Sequence, residues 1–424
     1  MTDALPWSEA RARARAAAPE ARPERVPLSA ALGRILAESL ATAIPLPHFA
    51  SAAMDGWAVR GPAPWRVQGR DEGVRALGPG EAVEIVTGAV IPDGADAVLR
   101  AEAGHVVGDV LEPVGAIGLD DVRGRRHIRP AGAEAAAGDA LLEAGAILTP
   151  PRIALAAATG VNDLPVARRP RVALVLTGDE VVEEGVPRAG QVRDSFRVAL
   201  PATLEALGAE VVATRRVGDD ERMTRRALLD DDVDLVVTTG GSGRSSADHV
   251  RAALAAEGAG LIVPCMATRP AGPTLLARAS DRLVLGLPGN PLAAMLGLVT
   301  LGAPLLAAWT GTPEPTRTVT AGTDLPGRAG STGLVPATLA GASTAWTAWT
   351  AWTASTAATP ADSASGPGAG PGTHPLPGLV AVPVAHVGSG MLRGLAVADV
   401  VVVVPPAGVD AGTPVQALAL PWTT

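Results

Sequence analysis

The 424-residue chain contains no lysine and no tyrosine, two phenylalanines and a single cysteine. All 35 of its basic residues are therefore arginine. Cys265 alone excludes an intramolecular disulfide framework and a cysteine-rich zinc site. Aromatic residues make up only 2% of the chain, so its cores must be built from Ala, Val and Leu; at 47% apolar residues they can be. No arginine run forms a nucleic-acid stripe. RARARAAAPEARPER (11–25) reads as a helix with a solvated face, and the net charge is −8, so nucleic-acid binding is disfavoured. The six histidines show no metal-ligand spacing.

The opening MTDALPWSEARARA lacks the apolar core of a signal peptide. Residues 283–309 carry no charge, yet Pro288, Gly289, Asn290, Pro291 and Pro304 divide them into a strand, a turn and a buried helix, not a membrane span. A soluble, cytoplasmic protein is expected, with no membrane partner.

The length suits roughly three domains. Residues 1–45 read as helix, first WSEARARARA and then SAALGRILAESL. Residues 64–129 alternate short apolar runs with turns, which predicts a β-rich domain with no helical period. Residues 130–170 return to the N-terminal part, so the β-rich segment reads as an insertion. From 171 to 311, apolar strand-like runs alternate with helix-like segments, the pattern of a parallel sheet with crossover helices. After Gly311 comes low-complexity sequence with a TAWTAWTAW repeat, then a dense β pattern resembling a small barrel. The expected class is α/β multidomain: a discontinuous N-terminal mixed domain (1–48 plus 130–170), an inserted β-rich domain (49–129), a central parallel-sheet α/β domain (171–311) and a C-terminal β-barrel-like domain (312–424) with a low-complexity insertion at about 342–375.

Ligands of such sheets bind outside the carboxyl ends of the strands. Thr177, Gly178, Asp179 and Glu180 follow one strand, Gly240 and Gly241 another, and Pro288, Gly289, Asn290 and Pro291 a third. Carboxylates at such an edge can hold Mg²⁺ with its waters, or a proton near a phosphate. A glycine pair before a helix lets backbone N–H groups approach an anion. Two prolines around Gly-Asn make a rigid turn. Taken singly, each is equally compatible with a plain structural loop. MDG (54–56) and TGAVIPDGADAV (87–98) read singly as ordinary turns.

Taken in order, PLPHFASAAMDGWAVRG, EIVTGAVIPDGADAV, RPRVALVLTGDEVV, GQVRDS, VDLVVTTGG, RPAGPTLLA, LGLPGNPLAA and GSGMLRGLAVADVVVVVPP resemble the molybdopterin molybdenumtransferase family, the bacterial relatives of gephyrin's C-terminal region. The resemblance covers residues 46–417. It implies insertion of molybdate into adenylylated molybdopterin with release of AMP, Mg²⁺ as cofactor, and a homodimer whose cleft is shared between subunits, with contact to other cofactor-biosynthesis proteins open. It implies catalytic roles for Asp55, Glu180 and Asp248, with Asp55 reaching the site from the partner subunit. It implies metal ligation by Glu180, Asp219 and Asp248, and substrate binding by Thr87, Thr177, Gly178, Asp219, Gly240, Gly241, Arg269, Pro288, Gly289, Asn290, Pro291 and Ser389.

The chain departs from the family pattern in SGRSSAD (242–248), at Phe196 and at Glu134, and in CMATRPAGP (265–273), where Arg269 stands without the usual lysines. Arg244 and Arg278 are candidate substitutes for the missing charge. A non-catalytic molybdopterin-binding paralogue and a gephyrin-like interaction scaffold are the alternative readings.

Overall fold

The computed structural model describes residues 4–69, 76–123, 126–218, 220–229, 232–240, 249–314, 316–341 and 378–423. Two compact units emerge: Met1–Glu24 with Ala167–Thr424, and Arg25–Val166.

The first unit is built on a six-stranded sheet in the order Glu210–Val217, Arg171–Thr177, Leu235–Thr239, Arg282–Leu287, Leu275–Ala279, Gly260–Val263. The first four strands are parallel. Leu275–Ala279 runs antiparallel to both its neighbours, so the sheet is mixed at one side. The sequence pattern conceals this strand because it is short and carries Arg278 among its apolar residues. The left-handed Ser280 (φ 54°) turns it directly into Arg282–Leu287. Helices Phe196–Ala206, Glu221–Leu229 and His249–Ala256 supply crossovers, as the alternating pattern predicts.

A 20-residue apolar helix, Pro291–Thr310, follows the last parallel strand and lies almost wholly buried inside the protein, so it is a core element. Five of its residues, Leu298–Gly302, form a π-helical turn. Such a turn leaves backbone carbonyls without their usual partners. Arg11 meets that need: its guanidinium donates to the carbonyls of Thr300 (3.0 Å) and Val299 (3.4 Å) and pairs with Glu314. The helix Trp7–Ala16 therefore belongs to this unit. It was expected in the N-terminal domain, but its buried face (Trp7, Ala10, Ala14) joins the core around the long helix.

The C-terminal strands close a five-stranded barrel: Thr332–Ala340, Val380–Pro383, Thr316–Ala321, Pro414–Ala419 and Val400–Val404, the last pairing back to the first. The uninterrupted Val400–Val404 run has a simple cause. Val400, Val402 and Val404 fill the barrel, while Val401 and Val403 pack into the core of the α/β sheet. A strand buried on both faces needs no polar alternation.

The second unit contains a six-stranded sheet in the order Ala97–Arg100, Gly56–Val59, Glu81–Ile85, Trp65–Gln68, Val110–Pro113, Gly104–Val107. It also holds two elements that the sequence misrepresents. SAALGRILAESL, expected as helix, forms a short 3-10 turn at Leu28–Ala30 and then extended chain. Gly33 takes φ 72°, and Gly33, Arg34 and Leu36 exchange backbone bonds with Gly145, Ala146 and Leu148. Leu36 is thereby buried with Leu142, Leu148, Leu164 and Val166, and tertiary pairing overrides helical spacing. Conversely, Gly115–Arg123 is a helix inside the β-rich segment. Its buried residues are Gly118 and Asp121, which give no apolar period to detect.

Candidate functional site

At the carboxyl edge of the central sheet, the three turns singled out in the sequence converge. Thr177 ends its strand by donating its hydroxyl to the Thr239 carbonyl (2.6 Å), tying the first turn to the second. Gly240 follows with φ 77°, and its N–H donates to the Leu287 carbonyl (3.0 Å), tying the second turn to the third. That N–H is thus engaged within the protein. Gly289 lies against Gly240, with an ideal Cβ only 3.6 Å from its Cα. Pro288 is buried, Gly289 and Asn290 are exposed, and Pro291 starts the long helix at a position where a missing N–H costs nothing. Ser389 reaches this turn from the C-terminal region: its carbonyl accepts the Ala293 N–H (3.2 Å) in the helix's first turn.

Gly178 takes φ 118°, and a Cβ there would stand 2.8 Å from Glu180 Oε2, so the carboxylate folds over its own turn. Glu180 is exposed, and among the described residues nothing donates to its carboxylate. Asp179 lies instead over Gly218 at the end of the neighbouring strand.

Arg269 is exposed, in the segment that leaves Gly260–Val263 and enters Leu275–Ala279. Because Leu275 pairs with Gly286, this segment opens at the same carboxyl edge. Arg278 does not serve there. It pairs with Leu283 at the opposite end of the strand and donates to the Ala17 carbonyl (2.9 Å), so its candidacy as a replacement cation is overturned by register. Asp219, Gly241, Arg244 and Asp248 lie outside the described residues.

One residue that the sequence reading passed over supports the Glu180 turn. Asp194 is buried, accepts the N–H groups of Phe196 and Arg197 (2.9 Å each) at the start of Phe196–Ala206, and pairs with Arg216. The N–H of Asp194 donates to Val182, and that of Val192 to Glu180, so the strand Val192–Arg193 holds the chain just beyond Glu180. The GQVRDS motif contained this signal, since an aspartate two residues before a helix is a capping pattern.

Asp55 and Thr87 belong to the second unit. Thr87 donates both its N–H (2.6 Å) and its hydroxyl (2.8 Å) to Asp55 Oδ1. The backbone bond first, then the hydroxyl bond, hold the Asp55 carboxyl below the usual carboxylate range. Asp55 is exposed on a turn whose shape depends on Gly56: at φ 151°, a Cβ there would fall 1.9 Å from the Leu99 carbonyl oxygen.

Residues 5–160 match the family described as the MoeA N-terminal region (domain I and II), and residues 173–308 match the probable molybdopterin binding domain. Molybdopterin molybdenumtransferase 2 of Mycobacterium tuberculosis is 33% identical over 316 residues, covering 68% of this chain and 75% of the relative. The chain belongs to the molybdopterin molybdenumtransferase family. A second member, from Synechococcus elongatus, is 35% identical over 298 residues, covering 65% of this chain and 72% of the relative. The crystal structure of the molybdopterin biosynthesis MoeA protein from Pyrococcus horikosii superposes with a TM-score of 0.73 at 25% identity, covering 99% of both chains. Within this family the converged carboxyl edge falls in the matched molybdopterin binding domain, and the Asp55–Thr87 contact in the matched N-terminal region.

Proposed function

We propose that this chain inserts molybdate into molybdopterin presented in adenylylated form, releasing AMP, with Mg²⁺ bound at the carboxyl edge of the central sheet. The protein is a transferase of molybdenum cofactor biosynthesis. The observation that carries the finer reading is the meeting, at one sheet edge, of three hydrogen-bonded turns, Arg269 and a Glu180 carboxylate to which nothing donates among the described residues.

The substrates are anions: molybdate, a pterin phosphate and an adenylate. Arg269 can bind a phosphate oxygen pair with its planar guanidinium. Pro288–Pro291 and Gly240 shape a turn that brings backbone close to the ligand, and the Thr177 hydroxyl, already donating to Thr239, keeps lone pairs for a ligand donor. Mg²⁺ is typically held by one or two carboxylates together with substrate phosphates. Glu180 fits that requirement, and Asp219 and Asp248 are the further ligands we propose. When bound, the cation supplies charge neutralisation to the phosphates. Asp55 stays ionised, with Oδ1 occupied by Thr87, and presents its other oxygen to a substrate donor. In this reading Asp55 is contributed by a second copy of the chain, in a cytoplasmic homodimer that passes its product to other proteins of the pathway.

One observation favours a second reading, a molybdopterin-binding paralogue without turnover. Arg278 sits at the wrong edge, which leaves Arg269 as the cation of the CMATRPAGP segment. Reconstitution separates the two. Purified protein with adenylylated molybdopterin, molybdate and Mg²⁺ should release AMP and yield active cofactor. Tight pterin binding with no AMP would establish the paralogue instead.

A further inference from the structure

Asp121 is completely buried, yet it is a charged residue on the short helix Gly115–Arg123. Its carboxylate receives two near-parallel bonds from Arg100, Nε to Oδ2 at 2.9 Å and Nη2 to Oδ1 at 3.1 Å. His127 Nε2 lies 2.9 Å from Oδ1. Burial alone would push this carboxyl up, and the Arg100 and His127 contacts outweigh it, so the group is held ionised. A buried carboxylate satisfied in this way is costly to disturb, because loss of one partner strands the others in a dry interior.

Both partners lead to the Asp55 turn. His127 occupies the left-handed region (φ 62°), uncommon for a residue with a side chain, and its backbone carbonyl accepts the Ala53 N–H at 2.8 Å. Arg100 stands directly opposite Gly56 in the antiparallel pair, and its neighbour Ala101 donates its N–H to the Asp55 carbonyl at 2.9 Å. The chain is thus gripped two residues before Asp55 and one residue after it, by two segments that meet on a single carboxylate. All of these residues lie in the same unit.

We propose that Asp121, acting through Arg100 and His127, is a positioning group for Asp55. It fixes the Met54–Asp55–Gly56 turn and thereby the point at which the Asp55 carboxylate is presented. The inference rests on the proposed role of Asp55 in transfer, and its test separates the two.

The full-length protein is compared with Asp121→Asn and His127→Asn. Asparagine tolerates the left-handed backbone, so His127→Asn keeps the carbonyl bond to Ala53 and removes only the ring contact. In each variant the Asp55 carboxyl is titrated by ¹³C NMR, and kcat and KM for AMP release are measured. In Asp121→Asn the Asp55 midpoint is expected to rise towards the ordinary carboxylate value as the turn drifts from Thr87. There kcat is expected to fall roughly 10–100-fold, with KM changing less than about threefold, since misplacement of about 1 Å can cost about 100-fold. His127→Asn should shift both in the same direction by less. An unchanged Asp55 titration in the folded variants overturns the proposal whatever the activity. A shifted titration with wild-type kcat upholds the positioning role and removes Asp55 from the reaction. Should Asp121→Asn fail to fold, the titration of Asp55 in His127→Asn decides alone.

Discussion

Gly240 lies directly against the hydroxyl of Thr177: a Cβ at position 240 would stand 2.5 Å from Thr177 Oγ1, on a backbone already in the left-handed region. The carboxyl edge is therefore closed by contact as well as by hydrogen bonds. Gly240→Ala must either displace the Thr177 hydroxyl from Thr239 or strain the backbone, at a cost on the order of 1–3 kcal/mol. We expect a lower melting temperature and at least a fivefold loss of molybdopterin affinity by calorimetry. Native affinity in that variant would mean that Thr177 and Gly240 play no part in the pocket.

Thr87→Val removes the hydroxyl donor to Asp55 and keeps the backbone donor. Because the folded-state carboxyl of Asp55 is held below its ordinary value, its ionised form contributes above the ordinary carboxylate range, and that contribution disappears as pH falls through the depressed value. The effect is confined to acid, at and below about pH 4. Thr87→Val should move the Asp55 midpoint upwards and leave behaviour at neutral pH little changed. NMR titration of the Asp55 carboxyl reads this directly; a downward shift would contradict the assignment.

Glu180→Ala should abolish AMP release while leaving thermal unfolding within about 0.5 kcal/mol of wild type, because the side chain is exposed and, among the described residues, unengaged. Glu180→Gln, which keeps the shape but not the charge, should be as inactive and should require more Mg²⁺ for binding. Turnover at the native rate in either variant would refute the role given to Glu180.

The two arginines of the Arg269–Arg278 stretch should behave oppositely. Arg269→Ala should weaken pterin-phosphate binding about tenfold, in line with about 1.5–3 kcal/mol for a hydrogen bond to a charged group. Arg278→Ala should leave ligand affinity unchanged and lower stability slightly through loss of its bond to Ala17. Equal effects on affinity would show that register does not separate them.

The apolar runs ending at Thr177, Thr239 and Leu287, the crossover helices and the long buried helix were legible in sequence because each has a clear period and a turn at its end. So was the carboxyl edge at which the three turns meet. Gly115–Arg123 was hidden because its inward face is a glycine and an aspartate, and SAALGRILAESL misled because Gly33 and the 145–148 segment overrule its spacing. The arginine partners of Asp121 and Asp194 were illegible for a different reason, although the capping pattern of Asp194 was there to be read. A buried aspartate looks like any surface acid until its arginine is known, and the partners stand 21 and 22 residues away, on other strands.

The bond between Arg11 and the Thr300 carbonyl joins residues 289 positions apart in the chain. A ribosome adding about 5–20 residues per second makes the first helix roughly 15–60 s before the carbonyls it serves exist. During synthesis, Arg11 has only the Trp7 ring beside it and Arg13 only Glu9, all within the same helix. The long apolar helix therefore sets the earliest moment at which the Arg11 guanidinium can reach the carbonyls it serves, so the start of the chain is held in reserve for a segment near its far end.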